Sequence, residues 1–301
     1  MKYKEKKTAA TKPKAGVFFT VVGVLIWICV FALLAVIGWG FLKSLQSYED
    51  FLMSGSVEAS IPTRFSNMTL ANYVSAFTDI KAPANGRDAF FPEMLANSVI
   101  YAVGCAAVHT LVPSVVAYLT AKYKVWFNKV IMFIIYFTMV FQVYGSMPAM
   151  IMMMNKLNLM NTWWGLFIQK SSFIGGGYLF YFATFHGISK EYSEAAVIDG
   201  ASHWQVMLKV MFPLARVIIL VQFVSSFITY WNDYQTALVY NPNNPTAAYG
   251  LFSFIQATNS YDDFISFKVA GTFVILVPIF ALFMIMRKYL LGDMTAGGVK
   301  G

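Results

Sequence analysis

Glu194-Ala195-Ala196-Val197-Ile198-Asp199-Gly200-Ala201 is a charged, helix-capable segment set between two long apolar runs. A short turn is enough to connect membrane spans. A conspicuous polar structure at the water interface needs something to dock against, which points to a partner protein in the cytosol. The surrounding residues specify two short helices. Ser189 is placed to cap the first, and Glu191 in its opening turn complements the helix dipole. Ala195 and Ala196 are strong helix formers, and Gly200 suits the left-handed residue that ends a helix. Ser202 starts the second helix, with Gln205 three residues on completing a capping box, and Pro213 marks the turn into the next apolar run. The segment reads as a helix-turn-helix lying flat at a membrane surface.

The remainder of the chain supplies the membrane. Of 301 residues, 58% are hydrophobic and only 12% charged, against about 25% charged in a soluble domain. Mean hydropathy is +0.60. The 17% aromatic content, with Trp and Tyr near the ends of apolar runs, suits interfacial belts. Six apolar stretches are long enough to span about 30 Å of hydrocarbon: residues 17–42, 94–121, 126–154, 164–185, 210–231 and 267–286. The predicted fold is all-α, a polytopic membrane protein of six transmembrane helices. Lys170 and Gly175-Gly176-Gly177 interrupt the fourth stretch, where the glycines permit either close helix contact or a break. The predicted organisation is a basic tail (1–16), a first helix (17–42), an external loop (43–93), a five-helix core (94–290) with a cytosolic loop at 188–213, and a C-terminal tail (291–301).

Charge orients the spans. Lys2, Lys4, Lys6, Lys7, Lys12 and Lys14 precede the first apolar run, which is too long for the apolar region of a signal peptide. With the N-terminus inside, most of the 22 Lys and Arg residues fall on the cytosolic side, while the acidic residues lean outward. The positive-inside rule then places both termini in the cytosol. The net charge of +8 therefore follows topology and does not indicate nucleic-acid binding. Cys29 and Cys105, both within apolar runs, give neither a disulfide framework nor a zinc site. A second long external loop spans about 233–266. Asn67-Met68-Thr69 fits a glycosylation sequon, a pattern that often arises by chance.

Several stretches in order resemble one family. Glu194-Ala195-Ala196, Asp199-Gly200-Ala201 and Phe212-Pro213-Leu214 resemble the EAA loop of permease subunits of bacterial ABC importers. Asn97-Ser98, Ala117-Tyr118, residues 157–162 and Trp231-Asn232-Asp233 are similar to its carbohydrate branch, and residues 290–301 to the tail of the second, maltose-type permease subunit. The chain departs from the family in Ser189, where Pro is common, in lacking a second Pro at Arg216 or Val217, and in Phe212 for Leu. The resemblance implies the type I ABC importer permease fold in the bacterial cell membrane. It also implies a sister permease forming a heterodimer, two cytosolic ATPase subunits, an extracytoplasmic solute-binding protein and a carbohydrate substrate. Glu191, Glu194, Ala195, Ala196, Asp199, Gly200 and Ala201 are then the ATPase-coupling residues, with Glu194 the polar anchor and Gly200 the turn. In the maltose-type family the sugar contacts lie mostly in the other permease subunit.

A polar stripe in the fifth stretch, Gln222, Ser225, Ser226 and Thr229, continues to Asn232 and Asp233. Neutral hydrogen-bonding groups there suit sugar hydroxyls or serve as glue between packed helices, and the pattern leaves both open. Gln142, Tyr144 and Ser146 pose the same choice, and Tyr230, Trp231 and Tyr234 suit either sugar stacking or belt anchoring. Met150, Met152, Met153 and Met154 read as packing.

Other classes fit poorly. There is no Gly-x-x-x-x-Gly-Lys-Ser/Thr to cradle a nucleotide, so the chain hydrolyses no ATP itself. His109, His186 and His203 form no metal motif, and no cofactor is expected. Ion channels and secondary carriers usually place charges inside the membrane, where these stretches hold almost none.

Overall fold

The computed structural model describes residues 16–54, 60–62, 65–123, 126–141, 146–257 and 265–292. It divides into two units, Met1–Thr69 and Leu70–Gly301. In the first, helix α1 (Val17–Ser44, 28 residues) extends roughly 42 Å at 1.5 Å per residue. Its large apolar side chains are exposed along nearly the whole length, as expected of a helix solvated by lipid. Its end is closed by a buried polar knot. Lys43 Nζ donates to Gln46 Oε1 at 2.7 Å, Gln46 Nε2 to Asp50 Oδ2 at 3.0 Å, and Asn67 Nδ2 to Asp50 Oδ1 at 2.9 Å. Asp50 lies in α2 (Tyr48–Met53), capped by Ser47.

The second unit opens with α3 (Ala71–Asp79) and an antiparallel hairpin, β1 (Lys81–Ala84) and β2 (Arg87–Phe90). Asn85 (φ 49) and Gly86 (φ 79) form its turn, the two left-handed residues that a tight hairpin demands. The all-α expectation thus needs one correction, since Asn-Gly between short runs forms a hairpin inside the predicted loop. Arg87 then clamps Glu93 with two bonds of 2.8 and 2.6 Å, at the start of α4 (Phe91–Lys122, 32 residues).

The central pillar is α4, about 48 Å long. The later helices are α5 (Asn128–Val140), α6 (Ser146–Lys156), α7 (Trp163–Lys170), α8 (Gly176–Gly187), α9 (Glu191–Ile198), α10 (His203–Leu214), α11 (Arg216–Trp231), α12 (Tyr234–Tyr240), α13 (Ala247–Ala257) and α14 (Ile265–Gly292). Of these, α11 and α8 pack most extensively on α4, followed by α7 and α13. Two apolar clusters form on α4. One gathers Phe91, Met94, Tyr101 and Cys105 with Leu166, Phe227, Trp231, Tyr240 and Leu251. The other gathers Ala117 and Tyr118 with Ile135, Tyr178, Phe185, Met207 and Met211. Trp231 Nε1 donates to the Ile275 carbonyl at 3.0 Å, fixing α11 to α14.

Among the described residues three helices are long and apolar enough to cross a bilayer: α1, α4 and the Ile265–Tyr289 part of α14. The pair α10 and α11, bent by 77°, makes a fourth if taken as one span. The other predicted stretches are not continuous helices. The third is divided into α5 and α6, and the fourth breaks after Lys170. Gly175 (φ +143) adopts a conformation that L side chains avoid, and a Cβ at Gly175, Gly176 or Gly177 would meet nothing within 4 Å. The glycines therefore serve a break and not close helix contact.

Candidate functional site

The loop singled out from the sequence is a helix-turn-helix. Ser189 Oγ accepts from the Glu191 N–H at 3.3 Å, so it caps the first turn of α9 although Lys190 is the formal boundary residue. The end of α9 is a two-bond reversal: Gly200 N–H donates to Val197 O and Ala201 N–H to Ala196 O, both at 3.0 Å. Only a residue at positive φ closes that pattern without strain, and Gly200 sits at φ +85. Ser202 and Gln205 then form a reciprocal capping box. From Val206 to Met211 the helix widens to a π turn that buries Val206, Met207 and Met211. Pro213 and Ala215 follow, where the chain bends into α11.

An aromatic ladder seats this loop on the helices behind it. Phe212 stacks on Phe185 at 5.7 Å, Tyr118 meets Phe185 edge-on at 5.5 Å, and Tyr123 meets Tyr118 at 6.0 Å. Tyr123 Oη also lies 3.1 Å from His203 Nδ1. Lys122 Nζ donates to the Ile188 carbonyl at 2.5 Å, tying the end of α4 to the start of the loop. The loop is thus packed and hydrogen-bonded against the ends of α4 and α8.

Among the described residues, none covers the outer surface of the loop. No residue of α9 is buried. Ala195 is exposed, while Ala196 and Ala201 are half-buried against the second cluster. Ile198 is 85% and Trp204 69% exposed, with Tyr192 and Val197 beside them. These apolar side chains stand exposed among the charged residues of the loop. Glu191, Glu194 and Asp199 are exposed. Glu194 lines a cavity of about 600 Å³ together with Lys122, Tyr123, Lys190 and His203. The predicted set thus comes together on one short helix and its turn.

The predicted substrate stripe is divided. Ser226 is buried, Gln222 is half-buried, and Ser225, Thr229 and Asn232 share an exposed face of α11. Thr229 Oγ1 donates to the Ser225 carbonyl at 3.0 Å and Asn232 Nδ2 to the Ile228 carbonyl at 2.8 Å. The 100° step between neighbouring residues is what turns Ser225 out and Ser226 in. Gln142 and Tyr144 lie outside the described residues. Among the described residues no group of acidic, His and Cys side chains is arranged to hold a metal.

One arrangement was not legible in the sequence. Lys170, at the end of α7, lies 3.7 Å from Asp233 and donates to Thr236 Oγ1 at 3.1 Å. Asp233 caps α12 by accepting from the Thr236 N–H at 3.0 Å, and also accepts from Tyr101 Oη at 2.8 Å and from Thr236 Oγ1. The Tyr230 ring packs under the ammonium at 5.4 Å and against His109 at 5.8 Å. The charge that interrupts the fourth apolar stretch is thus neutralised across 63 positions of sequence.

The chain matches the family model described as binding-protein-dependent transport system inner membrane component over residues 113–295, well over half its length. It is 25% identical over 279 residues to an arabinooligosaccharides transport system permease protein of Halalkalibacterium halodurans, covering 91% of this chain and 92% of the other. It is 25% identical to a maltodextrin transport system permease protein of Bacillus subtilis, covering 68% and 74%. A maltose/maltodextrin permease protein of Vibrio parahaemolyticus is 35% identical over 120 residues, 39% of each chain. A solved bacterial ABC transporter, involved in import of the acidic polysaccharide alginate, shares the fold with a TM-score of 0.71 at 24% identity, over 94% of this chain and 99% of that one. The family's members are non-catalytic membrane components. The chain belongs to the binding-protein-dependent transport system inner membrane component family, the permease subunits of ABC transporters.

Proposed function

We propose that this chain is one half of the translocation path of an ATP-driven carbohydrate importer, coupled to a cytosolic ATPase through α9 and Gly200. The observation that carries the coupling role is the build of α9. It is held from behind by Ala196 packed against the second apolar cluster and by contact with Val206–Met211, yet its own surface presents Glu194 and exposed Tyr192, Val197 and Ile198 to a partner. An interfacial helix used only to grip lipid would carry a broader apolar face. The relatives whose names specify arabinooligosaccharides and maltodextrin support an oligosaccharide substrate.

In this reading six spans cross the bacterial cell membrane with both termini in the cytosol. The third, fourth and fifth are built from helix pairs. A sister permease completes a heterodimer, and an extracytoplasmic binding protein delivers the sugar. Ser225, Thr229 and Asn232 face the shared path, since a hydrogen-bonding face is costly against lipid. ATP binding draws the two ATPase subunits together, moving both coupling loops and opening the path outward. Hydrolysis resets it inward. The test is uptake of labelled maltotriose and arabinotriose by proteoliposomes of the assembled complex. The expected result is accumulation only with both ATP and binding protein. Equal uptake without ATP rejects the reading.

A further inference from the structure

Behind the Lys170–Asp233 pair, between α6, α7 and α12, lies a cavity of about 230 Å³ whose lining includes Met147, Gln169, Lys170, Gln235 and Thr236. At about 30 Å³ per water it holds roughly seven waters, the space of one sugar unit and not of a chain. Its polar groups are incompletely used. Gln169 Oε1 is buried with no hydrogen-bond partner among the described residues. That oxygen is closed to solvent as well, so the Gln169 carboxamide reaches a donor only by turning toward the cavity that its side chain lines, which would relieve the cost of the unpaired acceptor. Gln235 on α12 is exposed and offers a carboxamide that both donates and accepts. Lys170 Nζ gives one bond to Thr236, and its side chain remains about one-fifth exposed, leaving donor capacity beside the cavity.

Charge decides what such a cavity takes. The Lys170 ammonium is balanced by Asp233 at 3.7 Å, and the other polar groups named here are neutral. An acidic sugar brought here would meet no uncompensated cation and would lose hydration without repayment. Hydroxyl groups, each both donor and acceptor, match an orphan acceptor, an amide and a spare ammonium donor. We infer that Gln169, Lys170 and Gln235 form a subsite in this subunit for one unit of an uncharged saccharide, selecting against acidic ones. This rests on the import reading above and assigns contacts outside the α11 stripe.

The test uses the complete reconstituted complex and binding protein, with maltotriose and arabinotriose as neutral probes and an alginate trisaccharide as the acidic one. Wild type is expected to take up a neutral probe in preference to the acidic one. Gln169→Leu and Gln235→Leu each remove one hydrogen-bonding partner and are expected to lower neutral uptake about fivefold at saturating binding protein. Asp233→Asn leaves Lys170 unbalanced and is expected to shift the uptake ratio toward the acidic probe. In a background with Cys29 and Cys105 replaced by Ala, Gln235→Cys should be protected from an impermeant maleimide by the transported probe, an effect that a purely structural role would not produce. If Gln169→Leu fails to assemble, the two Gln235 variants decide. Uptake in wild type with unchanged uptake in both Leu variants and no protection overturns the subsite alone. Preference of wild type for the alginate trisaccharide overturns it too. No ATP-dependent uptake of any probe by wild type removes the import reading, and the subsite with it.

Discussion

Asn97 on α4 donates its side-chain amide to the carbonyl of Pro245 at 3.0 Å, across 148 positions of sequence. Next to it, Ser98 Oγ accepts from the Ala247 N–H at 2.8 Å. All of these atoms are buried. Two small polar residues in an apolar helix thereby satisfy the backbone of the segment linking α12 to α13. That segment can pack against α4 only because its peptide groups find these partners.

Asn97→Leu should therefore be costly out of proportion to its size. It leaves the Pro245 carbonyl buried without a donor, an effect of about 1–3 kcal/mol. Thermal unfolding of the purified complex in detergent should show a lowered midpoint for Asn97→Leu and for Ser98→Ala. An unchanged midpoint for both would mean that water or another group serves the loop.

Lys170 and Asp233 should behave as a unit. Each side chain is about one-fifth exposed (21% and 19%), so losing one partner is expected to cost about 2–3 kcal/mol, below the figure for a fully buried pair. Lys170→Met/Asp233→Leu should lose less than either single variant, because no charge is stranded. A double-mutant cycle on unfolding free energy measures this, and additive losses would show the two to be independent.

Gly200→Ala isolates backbone strain. A Cβ there meets nothing within 4 Å, but φ stays at +85, which costs a residue with a side chain about 1–2 kcal/mol. Hydrogen exchange at the Gly200-position and Ala201 amides should accelerate about tenfold, with little change in α4. Equal acceleration throughout α4 would place the effect in global stability.

Local chemistry was readable and remote pairing was not. Ser202 with Gln205 and Gly200 at φ +85 could be placed from sequence because a cap or a left-handed turn is decided within a few residues. The long apolar runs of α1, α4 and α14 were equally plain. The Asn85-Gly86 hairpin carried its signal but sat in a stretch too short in apolar alternation to stand out. The interruption at Lys170–Gly175 and the turn near Pro213 both showed in the sequence, but whether the glycines made a contact or a break did not, because that depends on what lies beside them. Lys170–Asp233 and Asn97–Pro245 bring together distant parts of the chain, and no local pattern specifies such a meeting. The alternation of Ser225 and Ser226 depended on which face of α11 meets α4.

The most direct measurement is ATP hydrolysis by the assembled complex, with and without sugar-loaded binding protein, in wild type and in Glu194→Lys. Reversal of the Glu194 charge on the outward side of α9 is expected to abolish stimulation by the loaded binding protein while the subunit still inserts in the membrane and retains the melting behaviour of its helices. Full stimulation in Glu194→Lys would contradict a role for α9 in transmitting the motor's movement.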